Sequence, residues 1–179
     1  MLIEANEVTN LDFFSDILEK RQKDPYCDSP FLPLKQLSSK SKGANFEMLV
    51  EQYLSDRNHN VSKAIDEHGK ATSQYDRMIN GKRVEIKGSF LWGEGTHFRW
   101  QQIRVNQDYD IVCFLAVYPD KVELYGATKE ECKQHLEVQN EKGEWIYNQH
   151  GGKEVNSGTF FIDGFPKDFP WFRKFEELL

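Results

Sequence analysis

The segment Asp76-Arg-Met-Ile-Asn-Gly-Lys-Arg-Val-Glu-Ile-Lys87 constrains this chain more than any other. Asn80-Gly81 is the pair that a type I′ turn demands, because both central turn residues need positive φ. A two-residue turn sets the register of a β-hairpin: Ile79 opposite Lys82, Met78 opposite Arg83, Arg77 opposite Val84 and Asp76 opposite Glu85. Side chains alternate along a strand, so Lys87 shares a face with Glu85 and Asp76, while Ile79, Val84 and Ile86 turn to the other. That register puts the two carboxylates opposite each other, roughly 4.5–5.5 Å apart at Cβ. Like charges that close destabilise a hairpin unless a cation lies between them.

Composition narrows what such a hairpin serves. The chain has 179 residues, enough for one domain with a proper core, and its 13% aromatic content suits an ordered protein. A formal net charge of −6 argues against a protein that coats nucleic acid by bulk positive charge. It leaves room for a local basic face, and six basic residues (Arg77, Lys82, Arg83, Lys87, Arg99, Arg104) outnumber Asp76, Glu85 and Glu94 between Gln74 and Val105. Cys27, Cys113 and Cys132 are odd in number and far apart, which suggests neither a disulfide framework nor a zinc site. The first thirty residues lack a basic and then apolar leader pattern, and no run reaches membrane-spanning length. A cytoplasmic protein without a membrane partner is the expectation.

Along the chain, Thr9-Asn-Leu-Asp12 caps an amphipathic helix that ends near Lys20–Lys23, followed by a connector over 24–43 that carries Pro25, Pro30 and Pro33. Phe46, Leu49, Val50, Tyr53 and Leu54 form the apolar stripe of a second helix. A short strand is expected around Val61–Ile65. Beyond the hairpin, Phe98–Arg104 reads as a short helix or turn, and Asp110–Val117 as a strand buried on both faces. Val122–Tyr125 alternates as a strand, and Thr128 with Glu131 makes a capping box for a helix through about Val138. Trp145–Tyr147 and Thr159–Ile162 are expected to pair, and Pro170–Leu179 to form a terminal helix.

Two hard carboxylate oxygens suit Mg²⁺, which prefers oxygen ligands and keeps several waters; the Ile86 carbonyl can add a third donor. A metal so held lowers the pKa of water and polarises a phosphoryl oxygen, and Lys87 is placed to orient water and offset developing negative charge. That is equipment for hydrolysing a phosphodiester. A solvated sheet face screened by Arg83 and Lys87 is the alternative that needs no metal. The set Asp76, Glu85-Ile86-Lys87 resembles the PD-(D/E)XK nuclease superfamily, which includes most type II restriction endonucleases; Tyr75 stands where that family often has Pro. The resemblance covers roughly 43–138.

The resemblance implies an α/β fold with an αβββαβ core, a mixed central sheet and flanking helices. It implies metal ligation by Asp76, Glu85 and Ile86, a supporting carboxylate at Glu47 (Glu51 being the lesser choice), Lys87 as the catalytic lysine, and Gln102, or else Gln101, facing the site. The implied activity is Mg²⁺-dependent DNA cleavage, with Mn²⁺ substituting, by a type II restriction enzyme. The alternatives are a structure-specific repair or recombination nuclease and a non-catalytic DNA-binding subunit. Double-stranded DNA is the expected partner, cut by a homodimer or with a second subunit. Candidate DNA contacts are Arg99, Arg104, Asn148, Gln149, His150 and Lys153. The expected organisation is one domain: helix and connector (1–42), catalytic core (43–138) and C-terminal elaboration (139–179).

Overall fold

A computed structural model describes residues 24–92, 95–152 and 155–179. The expected helix beginning at Thr9 lies outside those residues. After a short helical turn α1 (Leu32–Lys35), helix α2 (Ser39–Ser55) begins earlier than its apolar stripe suggests. Ser38 caps it by accepting the Ser41 N–H at 3.3 Å, so Ser39–Gly43, expected as connector, are helical. A satisfied N-cap lets the docked stripe propagate helix backwards through residues with no strong preference of their own. Phe46, Val50 and Leu54 are buried and meet Ile79, Val84 and Ile86 in one core, which is the face the hairpin's alternation assigns to apolar contact.

Strand β1 (Val61–Lys63) pairs with β2 (Arg77–Ile79), and β2 with β3 (Lys82–Trp92) in the register Arg77–Val84, Met78–Arg83 and Ile79–Lys82. Asn80 and Gly81 have φ of 49° and 83°, as the turn requires. One pair departs from expectation. Asp76 lies just outside the ladder: its N–H donates to the Val84 carbonyl at 2.9 Å, and its Oδ2 accepts the Ile86 N–H at 2.7 Å. The side chain thus takes a bond that a strand neighbour would otherwise make, so Asp76 is not a cross-strand partner of Glu85.

β3 is long enough to take different partners along its length. Its middle runs parallel to β5 (Ile111–Val117), from Val84–Ile111 to Phe90–Val117, and its end pairs with β4 (His97–Arg104). β5 is buried along its whole length and pairs antiparallel with β6 (Val122–Thr128). Helix α3 (Lys129–Leu136) starts from the expected capping box, with the Glu131 N–H donating to Thr128 Oγ1 at 3.2 Å and the Thr128 N–H to Glu131 Oε2 at 2.8 Å. β7 (Asn148–Gln149) pairs with β8 (Thr159–Gly164), which pairs with β4. The expected C-terminal pairing is therefore present, with the partner of Thr159–Ile162 moved from 145–147 to Asn148–Gln149. The result is a mixed α/β fold with few helices and a large mixed sheet, ordered β7-β8-β4-β3-β5-β6 and completed beyond β6 by β9 (Arg173–Lys174).

Two expectations are corrected. Phe98–Arg104 is a strand, because Phe98, Trp100 and Ile103 are buried by two strand segments offset at a bulge where Gln102 has φ 58°. The bulge breaks the period of two and imitates helical spacing. It also means that the chain returns from β3 to parallel β5 through a strand, where an αβββαβ core would have its second helix. Trp100 anchors that crossing by donating Nε1–H to the Leu115 carbonyl at 2.9 Å. The terminal helix is absent too: the end of the chain is β9 (Arg173–Lys174), paired on β6, and a 3₁₀ turn at Phe175–Leu178. Phe169 and Trp171 belong to the core beneath β4 and β8, whereas Phe175 and Leu178 belong to the core beneath α2. The segment crosses the sheet edge to reach both, which a single helix cannot do. Cys27, Cys113 and Cys132 are all free, and Cys113 is buried among apolar side chains. Among the described residues no helix is long and apolar enough to cross a membrane.

Candidate active site

The β2–β3 hairpin, the middle of α2 and the end of β4 enclose a cavity of about 460 Å³ lined by Glu47, Asp76, Glu85 and Lys87, together with Lys63, Tyr75, Arg77 and Arg104. Each side chain arrives for a local reason. Glu85 and Lys87 share a face of β3 through strand alternation, and Lys87 Nζ lies 2.5 Å from Glu85 Oε1. Asp76 is held by its bond to the Ile86 amide. Glu47 follows the buried Phe46 on α2 and reaches the cavity beside it. Tyr75 fixes the wall: its hydroxyl donates to the Ile65 carbonyl at 2.7 Å and accepts the Ile65 N–H at 3.2 Å.

Glu85 is only 4% exposed. Burial pushes its carboxyl above the ordinary range, Asp76 pushes the same way, and Lys87 and Arg104 oppose them. Burial and the charge of Asp76 also raise Glu47, against Arg77 and Lys87. Glu47 is thereby crowded against Asp76, and Arg77 holds it there. Arg77 Nη1 donates to Glu47 Oε2 and to the Asp76 carbonyl, both at 2.8 Å, and Nε donates to Glu51 Oε2 at 2.9 Å. Arg77 was visible in the sequence only as one more basic residue. Its signal was the helical i, i+4 spacing of Glu47 and Glu51, which presents two carboxylates to one guanidinium. Arg83, which the metal-free alternative would use as a screen, is engaged by Asp108 and Asp110, the latter at 2.6 Å.

The donor set fits a hard divalent ion. Asp76 and Glu85 each bring carboxylate oxygens to the cavity, and burial followed by the charge of Asp76 raises Glu85, a repulsion that a cation between them would relieve. Because a strand residue's N–H and C=O leave on the same edge, the Ile86 carbonyl is directed to the Asp76 side, as its N–H is. Among the described residues no three His, Cys, Asp or Glu side chains close into a metal cage. Carboxylate and carbonyl oxygens are the donor types that suit a hard ion such as Mg²⁺.

The remaining candidates scatter. Gln101 and Gln102 line a second cavity on the far side of Lys87, with Arg99, and Gln102 Oε1 accepts from Arg104 Nη2 at 3.3 Å. Arg104 lines the carboxylate cavity itself. Arg99 is bound bidentately by Asp163 at 2.6 and 2.9 Å. Asn148 and His150 are exposed. Gln149 cannot touch DNA as expected: it is 2% exposed, and its Oε1 accepts the N–H groups of Ser157 and Gly158 at 2.9 and 3.1 Å, which closes the loop behind it. Lys153 lies outside the described residues.

No protein-family model matches the chain, and no curated protein matches it. Among solved structures it is similar to a bacterial homing endonuclease, I-Ssp6803I, at 17% identity and a TM-score of 0.39, over 52% of this chain and 67% of that one. At that depth of likeness the chemistry rests on the residues alone.

Proposed function

We propose that this protein is a Mg²⁺-dependent nuclease that hydrolyses DNA phosphodiester bonds by PD-(D/E)XK-type chemistry. The observation that carries the reading is the meeting of Glu47, Asp76, Glu85 and Lys87, drawn from a helix, a strand end and a second strand, around one cavity. Asp76, Glu85 and the Ile86 carbonyl would hold the ion, which when bound supplies Lewis-acid polarisation of the phosphate and a more acidic water. Lys87, tethered to Glu85, donates to the phosphate as negative charge builds on its oxygens. Glu47 accepts a hydrogen bond from the attacking water and orients it. The water oxygen bonds to phosphorus, one ester P–O bond breaks, the water's proton passes to a carboxylate, and the leaving oxygen is protonated by solvent.

One such site cuts one strand. In the restriction reading a twofold pair of chains, or a second subunit, makes the second cut in a duplex site. Cleavage of branched or partly unpaired DNA is the second reading, favoured by the basic cavity beyond Lys87. Incubating supercoiled plasmid with Mg²⁺, Mn²⁺ or EDTA tests the activity. Discrete bands indicate restriction, and nicking or smearing indicates the second reading. Lys87→Ala is expected to slow cleavage by about 10²–10³-fold, with Asp76→Ala and Glu85→Ala abolishing it. Undiminished metal-dependent cleavage by all three variants would refute the site.

A further inference from the structure

The cavity beyond Lys87, about 550 Å³, differs in charge from its neighbour. Lys35, Lys42, Lys87 and Arg99 line it, and no carboxylate does among the described residues. In a chain of net charge −6 that is a local reversal of sign. Lys35 and Arg99 are tied back by Asp24 and Asp163, each at 2.6 Å, whereas Lys42 has no carboxylate partner among the described residues. Trp92 forms part of the wall and is 47% exposed, with the Arg99 guanidinium 5.0 Å from its ring centroid. The cavity thus combines a cationic wall, an aromatic face open to solvent and a direct connection to the catalytic lysine.

We infer that this cavity seats an unpaired DNA strand leading away from the scissile phosphate, with Lys42 and Lys87 on backbone phosphates and Trp92 stacked on a base. An intact duplex offers phosphates to such a wall, but its bases are stacked on one another and present no free face to Trp92. A single strand offers both, and base–aromatic stacking beside a cationic groove is how proteins hold single strands without reading sequence. The strand's direction rests on the nuclease reading, and the substrate class that follows is DNA with a duplex-to-single-strand transition.

Fluorescence anisotropy in EDTA separates binding from cleavage. The probes are a blunt duplex, the same duplex with a single-stranded tail, and that tail made abasic. The protein is expected to bind the tailed duplex about fivefold or more tighter than the blunt one, the range that one stacked base supplies. Trp92→Ala and the abasic tail should each cut the preference to the same small remainder that phosphate contacts supply, and Trp92→Phe should keep most of it. Lys42→Ala should reduce the slope of log affinity against log salt by about 0.7, one single-strand phosphate contact. Equal binding of tailed and blunt DNA, or a preference that Trp92→Ala leaves undiminished, would overturn the proposal. If the tail preference holds and no divalent ion supports cleavage, the nuclease reading fails while the strand site stands. If cleavage needs Lys87 and no tail preference is seen, the strand site fails while the nuclease reading stands.

Discussion

At the scale of single residues, the site sets carboxylates against one another and leaves Lys87 to moderate the conflict. Glu85 and Glu47 both have carboxyls raised above the ordinary glutamate value of 4.5, by burial first and by Asp76 next. As pH rises past that value an ordinary glutamate gives up its proton sooner than these two do. The folded protein therefore binds more protons than the unfolded chain in the window that opens at 4.5, and stability falls as pH rises through it. Metal affinity moves the opposite way, because the ligands must lose their protons first. The acid limb of kcat/KM is expected above 4.5, and Ca²⁺ affinity measured by calorimetry should weaken along the same limb. A limb at or below the ordinary value would show that these carboxylates are not the titrating groups. Gln149 teaches the converse lesson, since a polar side chain in a polar loop serves the loop's own amides.

At the scale of elements, the hairpin and α2 are joined twice. Arg77 bridges to Glu47 and Glu51 at the rim, and Phe46 lies flat against Gly88 below. A Cβ added at Gly88 would sit 2.2 Å from Phe46 Cδ2, so only glycine admits this closeness of helix and strand. Phe46 and Gly88 also form part of the basic cavity. Gly88→Ala is expected to cost about 1–3 kcal/mol, the usual penalty for overpacking, with Phe46→Leu in the same chain restoring part of it. Urea unfolding of the single and double variants measures both effects. If Gly88→Ala unfolds no earlier than wild type, α2 does not lie where this packing puts it.

At the scale of the molecule, β3 organises everything. One core packs α2 against β3 and β5, the other packs β4, β8 and α3 against the opposite face of β5, and the cavity is assembled from segments nearly sixty residues apart in sequence, Glu47 to Arg104. A ligand that binds only this assembled state stabilises the whole fold. Ca²⁺ at about 100 times its dissociation constant is expected to add about 2.7 kcal/mol, seen as a rise in Tm that Asp76→Ala abolishes. An equal rise in the variant would place the ion elsewhere.

What the chain reveals without its fold is local. Asn80-Gly81 dictates a turn through φ alone, alternation then places Lys87 beside Glu85, and Thr128 with Glu131 starts α3. Each depends on residues within a few positions of one another. Asp76 leaving the ladder, the strand at His97–Arg104, the split ending at Phe175 and the grip of Arg77 on α2 all required contacts across the sheet. A bulge conceals a strand's period, and a side chain that bonds to a distant amide or carboxylate leaves no spacing to read. The residues of the proposed chemistry were legible in sequence. Their common cavity, and the basic one beside it, exist only because β3 holds strands on both its edges and a helix on its face in place.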